Sequence, residues 1–209
     1  MAREDTPGAV KCSTERRVGY SAAMALKSTI CKAVLDVSDV DRNYYAEHAL
    51  TIARHPSETD ERMMVRLVAF ALNAHEHLTF GKGLAEDDEP DLWHKDLTGA
   101  IAHWIEVGQP DDKALLRAAG RAVRVTVYAY RSGAELWWAP IADQLARAKQ
   151  LAVWRIPTSA SRMLSTLAAR SMHLQCTIQD GGLWVSDAAQ NVQIEPVQVE
   201  PVALKIREA

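Results

Sequence analysis

The chain has 209 residues, 48% hydrophobic and 24% charged, which suits a globular protein with one core, or one core with additions, and excludes a disordered one. Its formal charge of −3 excludes a broadly basic nucleic-acid-binding surface but leaves room for a local basic groove. Cys12, Cys31 and Cys176 form no CxxC pair, no apolar run reaches the roughly 18 residues of a membrane span, and no signal-peptide pattern opens the chain, so the sequence reads as a cytoplasmic protein with reduced thiols and no membrane partner.

Residues 1–23 mix charges with Pro7 and Gly8 without periodicity and read as a disordered leader. Strand formers over Leu26–Val37 and Tyr44–Arg54, with Ser38-Asp39-Val40-Asp41 between them, predict a long hairpin in which His48 is a half-buried, satisfied histidine. Ser57, followed by Asp60, reads as the N-cap of a helix whose apolar face holds Met64, Val65, Leu67, Val68, Ala71 and Leu72. Glu58 and Glu61 fall in its first turn, where acidic residues ordinarily answer the helix dipole. His75-Glu76-His77 has no partner at zinc spacing and reads as surface; Leu78–Phe80 is a short strand. Gly81-Lys82-Gly83 is a turn without P-loop spacing, and Glu86-Asp87-Asp88-Glu89 is a solvated acidic loop.

The segment Glu89–Pro110 reads as a hairpin turning at Thr98-Gly99. That centre sets Asp91 opposite Glu106, and facing residues on paired strands have Cβ atoms about 4.5–5.5 Å apart. Two carboxylates that close repel unless a proton or a cation lies between them. The pair is therefore a candidate site for a hard divalent cation, and equally a solvated hairpin mouth; a slip of one residue would send the two side chains to opposite faces. Pro110 suits the first position of a following helix, Asp111 and Asp112 suit its positive end, and Gly120 suits its stop. Ala122–Tyr130 reads as a buried strand, Trp137–Lys149 as a helix, Leu151–Ile156 as a strand and Thr158–Arg170 as a helix. Strands at His173–Ile178, Leu183–Ser186 and Val192–Glu195 close the chain, with Asp180-Gly181-Gly182 as a turn and 197–209 as a patternless tail. Trp137, Trp138, Trp154 and Trp184 read as packing residues. The order from the first helix onward is αβββαβ.

Pro90-Asp91 followed by Glu106 resembles the PD-(D/E)xK nuclease superfamily. The blocks HPSETDERMMVRLVAFALNA, DEPDLWHKDLTG, WIEVGQPD and LQCTIQDG together resemble the bacterial YaeQ family, from Met24 to about Pro196. The resemblance implies an α/β (α+β, mixed-sheet) fold: a restriction-endonuclease-like αβββαβ core over 24–196, with an N-terminal hairpin and C-terminal α/β additions. It implies a metal-dependent nuclease or phosphodiesterase in which Asp91 and Glu106 bind Mg²⁺ or Mn²⁺, lowering the pKa of a bound water and stabilising charge on phosphoryl oxygens. The superfamily's usual Lys would fall at Gly108; Gln109, next to it, can orient a water but cannot act as a base. The same resemblance brings in Glu58 or Glu61 as a further carboxylate, and Arg62 or Lys113 as electrostatic substitutes for the lysine. The alternative is an inactive nuclease-fold protein that binds DNA, RNA or a protein partner. No pattern in the sequence points to an oligomeric state.

Overall fold

The computed structural model describes residues 28–82 and 88–199. The expected leader, Gly83, Glu86 and Asp87, and the tail from residue 200 onward lie outside them. Strands β1 (Thr29–Asp39) and β2 (Tyr44–Arg54) form the first hairpin. Its turn comes later than Ser38–Asp41. Asp39 is buried at the end of the ladder, where its carboxylate accepts the backbone N–H of Arg42 (2.9 Å) and that residue's Nε (2.6 Å).

Helix α1 (Asp60–Leu72) is buried continuously from Met63 to Ala71, which is the signature of a helix enclosed on all sides. It shares one apolar core with residues of both sheets described below. Its N-cap is Thr59, whose Oγ1 accepts the Arg62 N–H at 3.2 Å. Ser57 is not the cap: its hydroxyl bonds His55 Nδ1, and Asp60 pairs with Arg54 instead of closing a capping box.

Next come β3 (Leu78–Phe80), β4 (Leu92–Lys95), β5 (Ile101–Val107), α2 (Asp112–Arg121) and β6 (Ala122–Ala129). The pairs Leu92↔Ile105, Trp93↔Trp104 and His94↔His103 set the register of β4 against β5. One step further places Asp91 opposite Glu106. The tip closes with Gly99 at φ +86°, and Asp96 Oδ1 accepts from Thr98 N and Ala100 N. Asp111 caps α2: its Oδ1 accepts the Ala114 N–H at 2.6 Å, so Pro110, expected at the first helical position, stands one residue before the cap. Gly120 lies within α2, which ends one residue later.

The segment expected as one helix over Trp137–Lys149 is two short ones, α3 (Ala134–Trp138) and α4 (Ala142–Leu145). Pro140 separates them, because it has no N–H to continue the ladder. Strand β7 (Leu151–Arg155) and helix α5 (Thr158–Ser165) follow; the helix stops earlier than expected. Then come β8 (Ser171–Gln179), β9 (Gly182–Ser186), β10 (Asn191–Ile194) and β11 (Val197–Gln198).

The strands form two mixed sheets, ordered β10-β9-β8-β1-β2 and β11-β7-β6-β5-β4-β3. Parallel pairing of β1 with β8 joins the first hairpin to the closing strands. In the six-stranded sheet, alternation divides the side chains between two faces. Ile105, Val107 and Tyr128 turn toward α1, whereas Trp104, Val125 and Val127 turn toward α2 and α4. No described helix is long and apolar enough to cross a membrane.

Capping assigns different weights to neighbouring hydroxyls. Thr59→Ala should cost about 0.5–2 kcal/mol in urea unfolding and Ser57→Ala much less. The reverse ranking of denaturant midpoints would show the cap to be misassigned.

Candidate functional site: a cleft at the head of the central helix

The N-terminus of α1, the end of β5, the start of α2 and the end of β6 enclose a cleft of about 660 Å³. Arg62, Asp91, Glu106, Gln109, Arg117 and Arg131 are among its lining residues. The hairpin register brings Asp91 and Glu106 to it from adjoining strands, and α1 brings Arg62.

Asp91 is 2% exposed, and its oxygens are engaged on every side. Arg62 Nη2 donates to Oδ1 at 2.8 Å and to Oδ2 at 2.9 Å, and the Val107 N–H donates to Oδ2 at 2.8 Å. Arg66 Nε lies 3.4 Å from Oδ1, an ion pair without a hydrogen bond. Glu58, 3% exposed, closes the network. It accepts from Arg62 Nη1 at 2.8 Å and from Arg66 Nη1 at 3.1 and 3.2 Å. Two carboxylates and two guanidiniums thus balance in a buried square, with the Arg66 head also 5.1 Å from the centre of the Phe80 ring. Burial works against the Arg62 charge, but Asp91 and Glu58 outweigh it and raise its pKa. For Asp91, burial pushes the carboxyl up against the pull of Arg62, Arg66 and the Val107 N–H.

Glu106 lies outside that square. Trp104 Nε1 donates to its Oε1 at 2.7 Å. Burial and the neighbouring Asp91 charge push its carboxyl up to about 8, so at neutral pH it is mainly protonated. A proton therefore relieves the repulsion between the facing carboxylates on the Glu106 side, and Arg62 relieves it on the Asp91 side.

The other expected residues divide. Gln109 is exposed on the cleft wall. Glu58 joins the site through the arginines, whereas Glu61 turns to α5 and accepts the Ser161 hydroxyl at 2.6 Å. Lys113 is exposed and does not line the cleft; Arg117, on the next turn of α2, does. Gly108 has φ +119°, a conformation that side chains rarely adopt, so a lysine there would carry backbone strain of about 1–3 kcal/mol. The sequence reading overlooked Arg66, and a signal for it existed. A lone arginine inside the run MMVRLVAFAL must be buried with a partner.

A carboxylate has about four acceptor positions, and three hydrogen bonds to Asp91 occupy most of them. As arranged, the donor set does not fit Mg²⁺ or Mn²⁺, because Arg62 Nη2 already bonds both Asp91 oxygens and Glu106 is mainly protonated at neutral pH. Among the described residues, no group of three or more His, Cys, Asp or Glu is placed to hold a metal ion.

A family model described as YaeQ protein matches residues 24–196. The chain is 46% identical over 173 residues to an uncharacterized YaeQ protein of Salmonella typhi, covering 82% of this chain and 96% of that one. It is 42% identical over 172 residues to the Escherichia coli (strain K12) counterpart, also uncharacterized, covering 82% and 95%. The crystal structure of the YaeQ protein from Xanthomonas axonopodis pv. citri is similar with TM-score 0.80 and 43% identity, over 83% of this chain and 98% of that one. That of the Pseudomonas syringae protein is similar with TM-score 0.80 and 36% identity, over 83% and 96%.

The raised Glu106 carboxyl has a consequence for stability. Its folded pKa of about 8 lies above the usual glutamate value of 4.5. The stability it confers is therefore complete below the lower value and is lost as pH rises to the higher, by at most about 1.4 kcal/mol per pH unit. Glu106→Gln should remove that slope, so its urea midpoint should gain on the wild type between pH 5 and 8. Parallel pH profiles for the two proteins would mean that Glu106 is ionised at neutral pH.

Proposed function

The chain belongs to the YaeQ family, and on that premise we propose that it is a nuclease-fold protein that binds nucleic acid through the cleft without a resident divalent cation. The observation that carries this reading is the Arg62 bridge from Glu58 to Asp91. It makes Asp91, one of the two carboxylates expected to hold a metal, an anchor for arginine together with Glu58.

Charge bookkeeping around the cleft supports the same reading. Asp91 and Glu58 are neutralised by Arg62 and Arg66, and Glu106 is mainly protonated. Glu89 pairs with Lys82 at 3.7 Å, and Asp111 is engaged as the α2 cap. Arg117 and Arg131 then stand on the wall as exposed cations, Arg131 beside the Tyr130 ring at 5.7 Å. Guanidiniums are suited to phosphate oxygens, which they meet with two parallel N–H donors. Such a local cationic wall on a chain of charge −3 favours a phosphodiester strand held in one groove over broad electrostatic adhesion.

Fluorescence anisotropy with labelled single- and double-stranded oligonucleotides, with and without Mg²⁺, tests this. Binding should not require the metal. Arg117→Gln and Arg131→Gln should each weaken it and lower the log K against log salt slope by about 0.7–0.9. Two results would oppose the reading. One is binding indifferent to both arginines. The other is Mn²⁺ or Mg²⁺ raising the melting temperature and supporting cleavage that Asp91→Asn abolishes, which would make the protein a metal-dependent phosphodiesterase.

A further inference from the structure

A second cavity, of about 230 Å³, lies at the opposite end of α1. Arg42, Asn73, His75, His94, His103 and Arg124 supply its polar lining, and no carboxylate lines it. The hydrogen bonds around it fix which ring nitrogens donate. Arg124 Nε donates to His103 Nε2 at 3.1 Å, so that nitrogen is unprotonated and the ring proton is on Nδ1. Thr126 Oγ1 lies 2.8 Å from the same nitrogen. The His77 N–H donates to His75 Nδ1 at 3.1 Å, which leaves the proton of neutral His75 on Nε2. His75 stacks on His94 with ring centres 4.1 Å apart.

Arg124 is held by buried neutral groups. Its Nη2 donates to Asn73 Oδ1 at 2.9 Å, while Asn73 Nδ2 donates to Ala69 O and Tyr128 Oη, both at 2.8 Å. Asn73 and His103 are each 8% exposed, and Thr126 is 2% exposed. Thus two buried polar side chains, Asn73 and His103, with Thr126 behind His103, orient a guanidinium that has no acidic partner among the described residues. Arg42 differs: it is paired with Asp39 and donates to the Ala71 and Ala74 carbonyls.

We propose that this cavity is a binding site for a phosphate-class oxyanion, either free phosphate or the phosphoryl group of a small metabolite, gripped by Arg124 with the ring N–H groups of His103 and His75. A wall of donors without acceptor carboxylates selects an anion. The planar fork of arginine matches two oxygens of a phosphoryl group. At about 230 Å³ the cavity is below the roughly 300–1,000 Å³ of sites for drug-sized ligands, which suits a phosphoryl group with few further atoms.

Isothermal titration of the full chain with inorganic phosphate at pH 7.5, and separately with glycerol 3-phosphate, tests the proposal. Saturable one-to-one binding is expected. Arg124→Gln should weaken it at least tenfold, His75→Asn severalfold, and Arg117→Gln in the nucleic-acid cleft not at all. Tighter binding of the ester than of phosphate would assign the site to a phosphorylated metabolite; equal binding would assign it to the phosphate alone. Arg124→Gln is read only if its melting transition is retained, and His75→Asn, on the cavity wall, carries the test otherwise. No saturable heat with either anion, or binding lost in Arg117→Gln and kept in Arg124→Gln and His75→Asn, would overturn the proposal.

Discussion

The arrangement of the cleft depends on one constraint: four ionised side chains buried together at the head of α1 must neutralise one another. Glu58 and Asp91 are almost inaccessible, as is Arg66, and Arg62 is largely enclosed. Burying a single charge is prohibitive, and burying a pair breaks even only where geometry and hydrogen bonding are good. Here Arg62 spans both carboxylates and the Val107 N–H completes Asp91. The network therefore ties the rotation of α1 to the open end of the β4–β5 hairpin. It also fixes Asp91 in position as an arginine ligand, leaving Glu106 as the partner that takes the proton.

Much of this frame was legible in the sequence. Counting outward from Thr98-Gly99 pairs Leu92 with Ile105 and sets Asp91 opposite Glu106, as at the open end of the hairpin. The tip itself centres on Thr98, with Asp96 bonded to Ala100 and Lys95 paired with Ile101, and a register shift between His94 and Lys95 makes up the difference. The mixed α+β class and the order from α1 to β6 followed from period and turn residues. What stayed hidden depends on contacts between distant segments. Parallel pairing of β1 with β8 has no local signature. Ser57 and Thr59 are equally good caps by composition, and only the entry path of the chain into α1 decides for Thr59. The commitment of Asp91 to Arg62, 29 residues away, lies beyond any spacing rule.

The two ends of α1 receive opposite electrostatic treatment. At its head, acidic groups are neutralised and the surplus cations sit further out on α2 and β6. At its tail, an arginine is aimed by buried amide and imidazole groups with no acid in the cavity wall. Both cavities are thereby suited to anions, on a chain whose overall charge is negative. At Gly108, where the nuclease resemblance leads one to expect a lysine, the chain leaves β5 at φ +119°, a conformation that would strain a lysine.

The competition between Arg62 and a cation for Asp91 is tested most directly by crystals grown in Mn²⁺, with anomalous scattering used to locate the metal. If the cleft works as described, Arg62 remains on both Asp91 oxygens and no anomalous peak lies within coordination distance of Asp91 or Glu106. A peak bridging the two carboxylates, with Arg62 swung away from Asp91, would contradict it.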